Sequence, residues 1–137
     1  MVSRISCSVI MLSLAALAGC GGAKPASGGT TGTLRIGGDL LSDIQVTVYR
    51  VEGSSTRHVG FGVTDAEGTF ELMTKGARGE LWLTPGEYRF TLESAGAPVQ
   101  IPDKYSQPDT TPLKASWSVG DEELKLDVPD KLLATPA

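Results

Sequence analysis

Asparagine is absent from the 137 residues, and histidine occurs once, at His58. The first absence excludes N-linked glycosylation. The second excludes metal centres built from several imidazoles. No apolar run reaches the ~20 residues of a bilayer-spanning helix; the candidate, Ile5 to Leu17, is too short. Basic charge is also scarce, with 12 Lys and Arg against 16 Asp and Glu, for a formal net charge of −4. That balance offers no electrostatic case for nucleic acid or for an anionic membrane surface. A chain of this length is expected to form one domain with one small core. Cysteine occurs only at Cys7 and Cys20, both close to the amino end.

Three short pieces make up that end. Met1 to Arg4 is positively charged, Ile5 to Leu17 is apolar, and Leu17-Ala18-Gly19-Cys20 closes with small residues and a cysteine. The order is that of a secretory signal. Its last four residues resemble the bacterial lipobox. The resemblance implies cleavage before Cys20 and acylation there, with palmitate-type chains anchoring the protein in a membrane. Residues 1–19 are then the signal peptide. The alternative is an ordinary signal cut nearby, with Cys20 free. With Cys7 removed and Cys20 acylated, no thiol remains for catalysis, a disulfide or thiolate metal binding. Gly21 follows Cys20, which by resemblance to Gram-negative lipoproteins implies the outer membrane, on either its periplasmic or its surface face. Residues 20–31 read as the lipidated cysteine and a Gly/Ser/Thr tether. The eleven residues after Cys20 would span an r.m.s. of about 18 Å. Residues 129–137, with two prolines and no period, read as a flexible tail.

Between tether and tail, residues 32–128 show a period of two in short pieces. Leu34 and Ile36 flank Arg35, and Ile44, Val46 and Val48 alternate with polar residues. Val59, Phe61 and Val63 alternate with glycines, and Phe70 and Leu72 flank Glu71. Leu81 and Leu83 flank Trp82; Tyr88, Phe90 and Leu92, then Trp117 and Val119, then Leu124, Leu126 and Val128 repeat the pattern. Each piece offers one apolar face, and two sheets bury such faces against each other. The expectation is an all-β fold: a single antiparallel β-sandwich of about seven to eight strands.

Turn chemistry agrees with this reading. In Thr64-Asp65-Ala66-Glu67-Gly68, Asp65 can accept backbone N–H bonds and Gly68 can adopt positive φ. Pro85-Gly86 fits the centre of a type II turn, and Gly120-Asp121 a turn after the Trp117 strand. Thr64-Asp65-x-x-Gly68-x-Phe70 with Leu83-x-Pro85-Gly86-x-Tyr88-x-Phe90 resembles the carboxypeptidase regulatory-like domain. Ile101-Pro102-x-Lys104-Tyr105, with Pro108 and Pro112 beyond it, is similar to small planctomycete-type lipoproteins carrying that domain. The resemblance implies a transthyretin-like sandwich of Greek-key type, and it brings no catalytic residues. The segment Gly37 to Asp43 lacks the Lys-Pro usual in the family's first hairpin.

No constellation for catalysis stands out. A Ser-His-Asp triad would have to use His58, and no Gly-x-Ser-x-Gly elbow exists. Asp121-Glu122-Glu123 and Asp65-x-Glu67 read as solvated turns, short of the ligand count of a calcium loop. No metal and no cofactor are expected. The stretch Ala95 to Lys114 is long and without period, and such loops are often functional. Lys104 and Tyr105 make it a candidate binding loop; the structural reading is that Ile101, Tyr105 and Leu113 pack it on the sandwich. Trp82, opposite Leu81 and Leu83, is a second candidate contact. The expected function is a non-enzymatic, lipid-anchored envelope module for interaction or structure. The membrane is met through the N-terminal lipid, and an envelope protein or a glycan is the possible further partner. The alternatives are carbohydrate binding on Trp82 or Tyr105, and service as an accessory subunit of an envelope enzyme.

Overall fold

The computed structural model describes residues 28–134. The expected signal peptide, Cys20 and most of the tether lie outside the described residues, as does the end of the tail. Two sheets pack face to face as a β-sandwich. The described residues hold eleven strand segments, four of them two residues long, and one 3₁₀ turn.

One sheet is built around β1 (Thr31–Ile36). Along one side β1 pairs with β10 (Glu123–Val128), and along the other with β5 (Thr69–Glu71) and then β2 (Asp39–Leu40). The five-stranded sheet runs β6 (Met73–Thr74), β4 (Ser55–Val63), β3 (Ile44–Glu52), β7 (Gly86–Ser94), β9 (Lys114–Trp117). A ribbon of β8 (Val99–Gln100) and β11 (Leu133–Ala134) completes the set. The core draws Leu34 and Ile36 from β1, Leu124, Leu126 and Val128 from β10, and Phe70 from β5. Facing them are Ile44, Val46 and Val48 from β3 and Tyr88, Phe90 and Leu92 from β7. Burying each such aliphatic or aromatic side chain contributes ~1.5–3 kcal/mol, which is what holds the two period-two faces together.

Several details differ from the sequence expectation. The sandwich is not wholly antiparallel, because β1 and β10 run parallel, Thr31 opposite Glu123 through Ile36 opposite Val128. The turn Ser118–Asp121 forms, with Gly120 at φ +95°. It does not close a hairpin: it carries the chain from β9 in one sheet to β10 in the other. Val119, at its tip, is 91% exposed and belongs to no strand.

In β4 the expected apolar face is broken. Gly60 and Gly62 are the buried residues, Phe61 is half-buried and Val63 is exposed. A register shift opposite Val48 and Tyr49 lets Val59 pack on the core while Phe61 does not. A bulge of this kind is invisible to a simple alternation count. Gly60 is needed because a Cβ there would strike the Met73 carbonyl oxygen.

The Asp65 turn forms as expected. Asp65 Oδ1 accepts the N–H groups of Glu67 and Thr69 at 2.9 and 3.0 Å, and Gly68 has φ +70°. Pro85-Gly86 is not the centre of a type II turn. Such a turn needs φ near +80° at its second central residue, and Gly86 is extended at φ +157° as the first residue of β7. Gly37 and Gly38 (φ +59° and +85°) make the first hairpin a two-residue loop of the I′ kind.

Both ends of the domain reach further than expected. Thr30, assigned to the tether, is 4% exposed. Within the assigned tail, β11 pairs with β8, and Asp130 contacts the long loop.

Candidate functional site

The long loop is packed rather than displayed. Residues Asp103–Tyr105 form the 3₁₀ turn, η1, whose amide hydrogen bonds run back to Pro102 and Asp103. Tyr105 is 1% exposed, and its hydroxyl donates to Asp130 Oδ2 at 2.8 Å. Lys104 Nζ lies 3.0 Å from the same oxygen and 5.1 Å from the Tyr105 ring centroid. Farther along, buried Thr111 donates its hydroxyl to the Phe90 carbonyl, and Leu113 is buried. The three titrating groups shift together. Hydrogen bonding and charge from Asp130 raise the Lys104 pKa. Hydrogen bonds from Lys104 and Tyr105 lower that of Asp130. Burial, followed by the bond to Asp130, raises that of Tyr105. As a contact residue Tyr105 is therefore a correction: a ring this deep has no face for a ligand, because a phenol whose hydroxyl finds an internal partner is stable inside. Lys104 stays half-exposed at the surface of this clasp.

Trp82 is the opposite case, 61% exposed. Its segment is not a strand, although its apolar alternation reads as one. Backbone bonds to the neighbouring chain hold it instead. Thr30 donates its N–H to the Leu81 carbonyl and accepts the Leu83 N–H on its hydroxyl, both at 2.9 Å. Leu81 also donates to the Leu72 carbonyl at 3.0 Å. With Leu83 buried and Leu81 half-buried, the residue between them is left facing solvent. The indole N–H donates to Glu80 Oε2 at 3.0 Å, which restricts the ring's rotation.

Two grooves share this indole as a wall. One, of about 430 Å³, is also lined by Arg50, Arg57, His58 and Lys75, and among the described residues by no carboxylate. The other, of about 480 Å³, adds Trp117, Pro85, Val119, Asp121 and Glu122, and among the described residues no cation. No family model, curated protein or solved structure matches this chain.

Arg50 is the residue that sequence reading missed. Nη1 donates to Thr84 Oγ1 at 2.7 Å and to the Tyr88 hydroxyl at 2.8 Å, and Nη2 donates to the Pro85 carbonyl at 3.0 Å. Tyr88 in turn donates to the Thr84 carbonyl at 2.7 Å and accepts the Thr84 N–H at 3.2 Å. This knot, and not a turn at Pro85-Gly86, sets the approach to β7. All of Arg50's acceptors are uncharged, and among the described residues no carboxylate pairs with it. The signal was present in the period: Arg50 continues the inward series Ile44, Val46, Val48, where a charge is unexpected unless something holds it.

His58 is half-buried in β4, its ring centroid 5.5 Å from that of Tyr49, and among the described residues its Nε2 has no hydrogen-bond partner. Among the described residues no three His, Cys, Asp or Glu side chains gather where a metal ion could sit.

Proposed function

We propose that the chain is a lipid-anchored, non-catalytic binding module of the bacterial cell envelope, of the carboxypeptidase regulatory-like kind. The observation that carries this reading is the exposed Trp82, fixed on a ridge between two grooves. Large apolar side chains of monomeric domains are usually exposed singly and without pockets beside them. An indole held by the neighbouring Glu80 carboxylate and walled by grooves is the form a contact anchor takes. The anchor follows from the leader and Cys20, with outer-membrane placement from Gly21.

Two experiments test the proposal. Cys20→Ala should leave the precursor uncut and move the protein out of the detergent phase; unchanged partitioning would sink the anchor. A photo-reactive residue in place of Trp82, in intact cells, should give a discrete adduct, and one in place of Glu67, on the Asp65 turn, should not. Equal adducts at both positions would remove Trp82 as the contact.

A further inference from the structure

We infer that the groove beneath Trp82 is an acidic-saccharide site, in which Arg50 receives a sugar carboxylate while Trp82 carries the sugar ring. The inference rests on the binding role proposed above and names its ligand class.

Arg50 carries a charge that no carboxylate among the described residues pairs. A half-buried guanidinium without a counter-ion costs free energy unless its donors are satisfied. Three of its five N–H groups are, by Thr84, Tyr88 and Pro85. The remaining two belong to Nε and Nη2, adjacent nitrogens of the planar fork. Adjacent guanidinium donors match the two oxygens of a carboxylate. The head is also immobilised: a Cβ on Gly86 would lie 2.9 Å from Nη2, and Cζ stands 5.5 Å from the Tyr88 ring centroid. A pre-positioned cation loses little freedom when an anion arrives.

The surroundings repeat the sign. Lys75 is exposed on the same groove and makes no ion pair among the described residues. Arg57 lines it too, with Glu52 held against its Nε at 2.7 Å. With Glu52 offsetting Arg57 and Glu80 standing at the indole N–H, Arg50 and Lys75 leave the groove basic on an acidic protein, a local field opposite to the net charge. Trp82 adds a flat apolar face and Thr84 a hydroxyl, the pair of features that a pyranose ring with its C–H and O–H groups needs. A simple inorganic anion would use the cations and leave the indole idle. A neutral sugar would use the indole and leave Arg50 uncompensated. A uronic acid uses both.

The test is isothermal titration of the full-length lipidated protein in detergent, with trigalacturonate and with neutral galactotriose. Trigalacturonate should bind at least about tenfold more tightly than the neutral sugar, and raised salt should weaken it. Trp82→Ala and Lys75→Glu, both at exposed positions, should each lower the affinity by about tenfold with an unchanged melting temperature. Arg50→Lys keeps the charge but loses the fork and should weaken binding at least as much. Equal affinity for the two sugars overturns the assignment, as does wild-type affinity in the Trp82 and Lys75 variants. Failure of trigalacturonate to bind at millimolar concentration also overturns it. Crosslinking at residue 82 reads any partner, so it judges the wider binding proposal separately.

Discussion

Trp82 and Tyr105 are both aromatics read from the sequence as candidate contacts, and both lie outside the strands, yet one is 61% exposed and the other 1%. The difference lies in where each polar handle finds its partner. The Tyr105 hydroxyl reaches Asp130, 25 residues away in the chain, and doing so draws the ring under the loop. The indole N–H of Trp82 is satisfied by Glu80, two residues away and at the surface, so nothing pulls it inward. The first aromatic closes the fold and the second remains available. An aromatic beside a cation in sequence is thus no sign of a binding site until the partner of its polar atom is known.

The largest effect that could break this contrast is in the loop. Tyr105→Ala should destabilise by about 3 kcal/mol, since it empties a packed aromatic site. The melting temperature should then fall by more than about 10 °C; a shift of a degree or two would mean the loop is not part of the cooperative unit. Tyr105→Phe keeps the ring and removes the bond to Asp130, for about 1 kcal/mol in a urea denaturation series.

The clasp should also respond to pH. Asp130 has its pKa lowered below the ordinary 3.8, so its contribution is present above that value and is lost as pH falls through the lowered one. Lys104 and Tyr105 are raised above 10.5 and 10.0. Their contributions are present below those values and are lost as pH rises through the raised ones. The protection of amides near η1 against exchange, referred to the intrinsic rate at each pH, should stay high across the neutral range and fall at both extremes. Asp130→Asn should abolish the acid limb and weaken the alkaline one, which the burial of Tyr105 sustains in part; an acid limb that persists would place that dependence elsewhere. The smallest effect is expected at the other aromatic: Trp82→Ala should change stability by less than about 0.5 kcal/mol. A loss as large as that of Tyr105→Ala would make Trp82 a packing residue after all.

Much of the fold was legible because burial follows a period of two. β3, β7 and β10 bury the alternating residues that their sequences single out, and Asp65 and Gly68 make the turn that their side chains allow. β4 was misread because a bulge shifts its phase and glycine, not valine, meets the passing chain at Met73. The segment around Trp82 was misread as a strand because Thr30, in what reads as tether, supplies the hydrogen bonds that a neighbouring strand would have made. Arg50 was passed over because its neighbours at Thr84, Pro85 and Tyr88 are remote in sequence.

The sequence by itself determined the all-β class, the two-faced strands and their tight turns, since these depend on side-chain period and on local backbone preferences. Only the tertiary structure decided that β1 and β10 run parallel, that Tyr105 is hidden and Trp82 shown, and that Arg50 has no counter-ion among the described residues. Each of those depends on which distant groups meet; a strand's own period can mark Arg50 as out of place but cannot name the partners that hold it.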